Sequence, residues 1–257
     1  MGDRNRRRQW RKARKRERRR QKTKRTADRR ATGESRGQPE VPARPPVETR
    51  HLETITAHVE RHIGPVAGVV HELKSELIHV DVLRVAPTAR RPYWTLVTSG
   101  MSDAPMRDQS CPEHSFLRHA ELVLCLPATW PLDLRDPRWG WPYTLLGELA
   151  RLPHAKDTWL AWGHTWEVGR RRRLAPNVPF SGAVFLPPAT LPVAFTTCLE
   201  ATGRRIDFLG VVLLHRRELK LKLARGLDAL LDRVGWDSLS EVVDLKRPCG
   251  MRRRAAG

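Results

Sequence analysis

An apolar strand that runs into a glycine turn limits the possible folds of this chain more than any other stretch. Residues 93–97 are aromatic, β-branched or aliphatic, a composition that favours a buried strand. Ser99 and Gly100 follow, and glycine adopts backbone angles that other residues avoid. Pro105 then keeps regular structure from resuming. We therefore predict a buried strand that ends in a tight polar turn, and we expect Gly100→Val to damage folding before any activity.

The positive charge is concentrated at the start of the chain. Residues 1–30 contain 17 of the 48 Lys and Arg residues and three of the 28 acids, within a formal net charge of +20. Such a segment buries too little apolar surface to offset its conformational entropy, and residues 31–48 have the Pro and Gly content of a linker. We predict a disordered tail and linker over residues 1–48, a folded domain over 49–247, and a short basic C-terminal tail over 248–257.

The basic tail suggests a nucleic-acid-associated protein as one alternative function. Clustered Lys and Arg attract phosphates without reading sequence, and no base-reading motif accompanies them. A solvated arm with no dedicated partner is the simpler interpretation. The candidate nucleic-acid contacts are Arg6, Arg7, Arg8, Arg18, Arg19 and Arg20.

Cysteine usage and hydropathy indicate the compartment. The four cysteines have no CxxC spacing, so we expect reduced thiols. No apolar run approaches the roughly 20 residues that span a bilayer. The charged start is not followed by the apolar segment of a signal peptide. The sequence therefore predicts a cytoplasmic protein with no membrane contact.

The apolar patterns predict an α+β (mixed α/β) fold, with a largely antiparallel or mixed sheet covered by helices in a single globular domain. Residues 120–126 are nearly all apolar, which indicates a central strand. A capping-box pattern from Ser238 to Glu241 predicts a short last helix. The other predicted strands cover residues 78–85, 93–98, 180–186 and 206–214, and the other predicted helices cover 47–63, 142–153 and 216–234.

Catalytic motifs are missing from the sequence. It contains no P-loop, no GxGxxG and no GxSxG. A serine hydrolase that uses Ser99 or Ser102 with His164 is the least favoured alternative, because a serine in a turn is a weak signal. We expect a protein that is not an enzyme and needs no cofactor.

Two groups of residues have the spacing of metal ligands, and neither reaches a full set. His58 and His62 form an i,i+4 pair, and Cys111, His114 and His119 lie near one another in the chain. For the pair, a surface helix that carries two histidines is the simpler interpretation. We expect no metal at either place.

Tryptophan is concentrated between residues 139 and 166, which hold five of the nine. Aromatic side chains often dominate protein interfaces, although they also pack helices onto sheets. The candidate partner-binding residues are Trp139, Trp159, Trp162 and His164.

Several stretches together resemble the Suppressor of Fused-like family. They span residues 80–82, 91–103 with Met106, 120–130, 141–142, 145–154, 158–159, 163–165, 206–214, 218–219 and 228–231. The positions that look like a family signature, with a structural role, are Thr98, Ser99, Gly100, Met101, Ser102, Asp103, Trp130, Trp141 and Pro142.

The resemblance implies an α/β sandwich-like domain that binds another protein and catalyses nothing. The chain looks like the stand-alone microbial type, for which the family resemblance implies an immunity protein of a polymorphic toxin system. Such a protein neutralises a partner toxin domain by direct binding. The resemblance supplies no catalytic residue.

Overall fold

One mixed β-sheet organises the part of the chain that the computed structural model describes, residues 51–71, 77–107, 118–169 and 173–251. The strands are β1 (Val66–Val70), β2 (Asp81–Val85), β3 (Tyr93–Ser99), β4 (Ala120–Pro127), β5 (Thr165–Glu167), β6 (Phe180–Leu186), β7 (Thr197–Leu199) and β8 (Arg205–His215). Their spatial order is β1-β2-β3-β4-β8-β6-β5, with β7 beside the start of β8. The β4–β8 pair is parallel and the other pairs of the sheet are antiparallel.

Helices cover both faces of the sheet. They are α1 (Leu52–His62), α2 (Pro137–Ala155) and α3 (Arg216–Val234). On β4, Leu122 and Leu124 face the core that includes α2, whereas Val123 and Cys125 face the core that includes α1. This alternation buries both faces of β4, which explains its continuous apolar sequence. The predicted α+β fold with a mixed, helix-covered sheet is confirmed.

Several predicted boundaries differ from the structure. Helix α2 begins five residues before Pro142, because the Asp136 side chain caps it by accepting from the Arg138 N–H and Pro137 occupies the first turn. Residues 66–70 form strand β1, which none of the predicted strands covers. Leu223 is 58% exposed, although it is a large apolar residue of α3. Gly226 interrupts α3 with a φ of 88°.

The prediction of a short last helix from the capping-box pattern at residues 238–241 is also wrong. A short 3-10 helix, Trp236–Ser238, ends where the pattern begins, and the buried Glu241 carboxylate caps no helix. Instead, this carboxylate accepts hydrogen bonds from the backbone N–H groups of Ala189 and Thr190 and from the Thr190 hydroxyl. The acid of the capping-box pattern therefore makes a tertiary contact with Ala189 and Thr190, which lie 52 and 51 residues away in the chain.

The predicted basic tail and linker, residues 1–48, lie outside the described residues, as do residues 252–257. No helix among the described residues is long and apolar enough to cross a membrane.

A buried ion pair joins α3 to the C-terminal segment. The fully buried Glu218 carboxylate accepts two hydrogen bonds from Arg247, at 2.7 and 2.8 Å, and two more from the backbone N–H groups of His215 and Gly250. Burial raises the pKa of Glu218, but the Arg247 guanidinium and the backbone donors outweigh it and leave this pKa below the usual 4.5.

We predict that Arg247→Ala destabilises the protein by about 3 kcal/mol, because it leaves the Glu218 carboxylate buried without its cation. A lowered folded-state pKa stabilises the fold above pH 4.5, and this stabilisation disappears as the pH falls through the folded value. Urea denaturation at several pH values should therefore show the smallest difference between variant and wild type in acid. The matched control is Arg217→Ala on the exposed side of α3, and equal losses for the two variants would contradict the prediction.

Candidate functional site

The predicted glycine turn lies at the end of β3. Gly100 has a φ of +124°, and a Cβ atom there would lie 1.9 Å from the His79 carbonyl oxygen. Met101–Asp103 follow as a single 3-10 turn, closed by the Asp103 N–H donating to the Gly100 carbonyl at 3.1 Å. Backbone angle and close approach together therefore require glycine at position 100.

A buried carboxylate from the central strand holds this turn. Glu121, on β4, is fully buried. Its Oε1 accepts from the Gly100 N–H at 3.0 Å and from the N–H and hydroxyl of Ser102 at 2.9 and 2.7 Å. Its Oε2 accepts from the Thr98 hydroxyl at 2.5 Å, while that hydroxyl accepts from the Leu122 N–H. One side chain thus satisfies four donors of the turn.

Two imidazoles fix the other side of the turn. His154 Nε2 donates to the Met101 carbonyl at 3.0 Å, and His119 Nδ1 donates to the Ser102 carbonyl at 2.8 Å. Burial lowers the pKa of both histidines, which favours neutral rings. The turn is consequently held by α2 through His154 as well as by β4.

The two serines that suggested hydrolase chemistry are both fully buried. The Ser102 hydroxyl is occupied by Glu121, and the Ser99 hydroxyl has no hydrogen-bond partner among the described residues. Of these two signature serines, Ser102 therefore holds the turn by hydrogen bonding and Ser99 does not. Neither hydroxyl is accessible to a substrate from solvent in this arrangement.

The histidine pair with metal-ligand spacing, His58 and His62, lies on α1 with ring centroids 4.6 Å apart. His58 is buried, donates through Nε2 to the Phe195 carbonyl at 3.0 Å and stacks on Phe208, so it does not lie on a surface helix face as expected. Cys111 and His114 lie outside the described residues.

A different group does bring ligand atoms together. Asp81 Oδ1 lies 2.8 Å from His79 Nε2 and 3.2 Å from His71 Nδ1, and one ligand atom from each residue lies within 4.8 Å of the others. Sequence reasoning missed this group because it depends on the register of β1 and β2. Val70 pairs with Val82, which places His71 beside Asp81.

Six of the described tryptophans lie in two groups. Trp130 makes edge contacts with Trp139 and Trp141, with centroids 5.3 and 5.9 Å apart, and its Nε1 donates to the Trp139 carbonyl. Trp141 and Pro142 are buried in α2, in agreement with a structural role. The candidate residue Trp139 therefore belongs to the packing around the start of α2.

The second tryptophan group lies beside β5. Trp159 meets the His164 ring at 5.5 Å, and the Trp159 carbonyl lies 3.3 Å from His164 Nδ1. Trp159, Trp162 and Trp166 are partly buried against the core.

The candidate nucleic-acid contacts, Arg6, Arg7, Arg8, Arg18, Arg19 and Arg20, lie outside the described residues.

We predict that Gly100→Ala destabilises the fold by about 3 kcal/mol or more, because left-handed strain is combined with a collision against fixed backbone. The matched control is Gly203→Ala, since Gly203 also has a positive φ, of +80°, but nothing lies within 4 Å of the position that a Cβ atom would take there. The control should cost only about 1–2 kcal/mol in chemical denaturation. Equal losses at the two positions would show that the close approach to His79 is unimportant.

We predict that Glu121→Gln changes the pH dependence of stability. Burial raises the pKa of Glu121 above 4.5, and the hydrogen bonds from Ser102, Thr98 and Gly100 only partly oppose it. A raised folded-state pKa stabilises the fold fully below 4.5, and this stabilisation is lost as the pH rises through the folded value. Urea denaturation should therefore show the wild type losing stability relative to Glu121→Gln as the pH rises. A difference that does not change with pH would contradict the raised pKa.

Comparisons with known proteins show a matching family and solved structures of similar fold. The family model described as Suppressor of fused protein (SUFU) matches residues 76–248. A search of curated proteins found no match. The crystal structure of a SUFU homolog from Neisseria gonorrhoeae FA 1090 aligns with a TM-score of 0.54 at 16% identity, over 80% of this chain and 100% of that one.

A second solved structure, the Sufu-Fu complex, aligns with a TM-score of 0.54 at 17% identity, over 80% of this chain and 92% of that one. At these identities the likeness to solved structures concerns the fold. The family match, in contrast, covers well over half of the chain and includes β2 to β8 with the turn at Gly100. The chain therefore belongs to the Suppressor of fused (SUFU) family.

Proposed function

We propose that this domain binds another protein along the free edge of β5. Strand β5 pairs with β6 on one side and is the last strand in the order of the described sheet. An edge strand presents unpaired backbone groups to which an extended segment of a partner can add as a further strand. This free edge is the observation that carries the proposal.

The register identifies the backbone groups on the free side. The Phe185 N–H donates to the His164 carbonyl, and the Val168 N–H donates to the Ser181 carbonyl. Residues 164, 166 and 168 therefore turn their backbone groups toward β6. Because the direction alternates along an antiparallel strand, Thr165 and Glu167 turn theirs to the free side.

The surroundings of β5 suit a protein partner. The partly buried Trp159, Trp162 and His164 adjoin the strand and keep part of their surfaces accessible, which is typical of interface anchors. A cleft of about 510 Å³ includes Glu167 together with Arg173 and Arg216, whose charges favour acidic groups on the partner. Trp139 is a weaker candidate because it packs with Trp130.

The proposed role is non-enzymatic, and the proposed partner is a toxin domain that this protein neutralises as an immunity protein in the cytoplasm. Support comes from family membership and from the Neisseria homolog, whose whole chain aligns with this fold. The Sufu-Fu complex adds a structural relative that was solved with a partner. The buried state of Ser99 and Ser102 agrees with a role without catalysis.

We predict that Glu167→Pro abolishes partner capture while Glu167→Ala retains it. Proline removes the one N–H group at this position that an added strand would use, and it leaves the ladder to β6 intact. Tagged full-length chain and both variants would be used to capture proteins from an extract of the source cells, with enrichment measured by mass spectrometry. Capture of the same protein by Glu167→Pro would contradict the proposed edge.

The partner's effect on growth then tests the finer proposal. A captured toxin domain should stop growth when expressed alone and should permit it when co-expressed with the wild-type chain. A captured protein that is harmless when expressed alone would leave protein binding in place but would exclude the immunity role.

A further inference from the structure

We propose that His71, His79 and Asp81 form a binding site for a divalent transition metal, with Zn²⁺ as the best-fitting ion. Two imidazoles and one carboxylate form a ligand set that zinc favours, with a water completing four-coordination. Ligands about 2.0–2.2 Å from a tetrahedral zinc lie on the order of 3.3 Å from one another. The observed separations of 2.8 and 3.2 Å around Asp81 Oδ1 are close to this value, and one ligand atom from each of the three residues lies within 4.8 Å of the others.

The local strand geometry explains why these three residues converge. Asp81 is the first residue of β2, and His71 directly follows β1, its antiparallel neighbour. His79 precedes Asp81 by two residues, and side chains two apart in extended chain point to the same side. The site thus combines one ligand from the end of β1 with two ligands from the segment that enters β2.

A second observation points to a ligand at Asp81. This side chain is 1% exposed, and its Oδ2 atom is buried without a hydrogen-bond partner among the described residues. Buried carboxylate oxygens are rarely left unsatisfied, because the cost of removing them from water is large. A metal held by Asp81 would use this oxygen or polarise the carboxylate as a whole.

The neighbouring strand adds a polar group. Ser99 pairs directly with Asp81 in the β2–β3 register, so the two side chains lie on the same face. The Ser99 hydroxyl is also buried without a hydrogen-bond partner among the described residues. It is thus placed to hydrogen-bond the second carboxylate oxygen of Asp81 once that carboxylate turns toward a metal, in the manner of outer-shell partners in metal sites.

Exposure provides an entry path for the ion. The His71 side chain is 61% exposed and that of His79 is 26% exposed, whereas Asp81 closes the inner side of the site. The metal would connect the end of β1 to the start of β2. It would also stiffen His79, whose carbonyl lies against Gly100 in the turn held by Glu121.

Isothermal titration of the full-length, metal-free chain with Zn²⁺ tests the site. We expect one high-affinity ion per chain and a thermal midpoint that rises by about 5 °C at a hundredfold excess of zinc over its Kd. Co²⁺ binding should give the visible absorption of a four-coordinate site. His71→Ala, which alters an exposed side chain, and Asp81→Asn, which keeps the shape of the buried one, should each weaken zinc binding at least tenfold.

The matched control removes Cys111 and His114, two of the other candidate ligands in the sequence. A Cys111→Ser/His114→Ala variant should bind zinc as the wild type does. The inference is overturned if the wild type binds no zinc, or if His71→Ala and Asp81→Asn bind it as tightly as the wild type. Loss of binding in the Cys111→Ser/His114→Ala variant alone would overturn it as well, because the zinc would then belong to that pair.

Discussion

The structure depends on a single carboxylate, that of Glu121, at the start of the apolar strand β4. Removing the charge of Glu121 from water is costly, and the cost is tolerable only because four donors from Thr98, Gly100 and Ser102 surround it. The donors come from a turn that would otherwise bury unpaired backbone groups. Acid and turn therefore stabilise each other, and the glycine at position 100 allows the close approach that the arrangement requires.

Buried acids serve the same purpose elsewhere in the molecule. Glu241 satisfies the backbone between β6 and β7, and Glu218 joins the start of α3 to the C-terminal segment. Asp207, fully buried on β8, accepts from Thr197 and Arg205 where β7 pairs with β8. Asp207 and Glu218 lie in regular structure, and all three acids bind irregular backbone or an adjoining strand. Hydrogen bonding by carboxylates thus completes a core that hydrophobic packing alone leaves with unsatisfied polar groups.

Apolar continuity made the long strands and α3 predictable from the sequence. Strands β5 and β7 were not predicted, because each has only three residues, too few to show a pattern. Strand β1 was not predicted because a glycine interrupts its apolar sequence. The turn at Gly100 was predictable, but its partner Glu121 was not, since their contact depends on the register between β3 and β4. The sequence signal for this contact was a single acid, Glu121, within the otherwise apolar residues 120–126. The His71, His79 and Asp81 group likewise follows from strand pairing, which local sequence does not encode.

The parallel pair at the centre of the sheet has a consequence for the order of folding. Strands β1 to β4 form a meander of neighbours, whose contacts close short loops and carry a small entropic cost. Strand β8 joins β4 only after more than 70 intervening residues have been placed, so this contact has a high sequence separation. The meander can form early, whereas β6, β5 and β7 attach through β8. The surface around β5 is then assembled after β8 has joined β4, and a nascent chain would acquire it only once β8 has been synthesised.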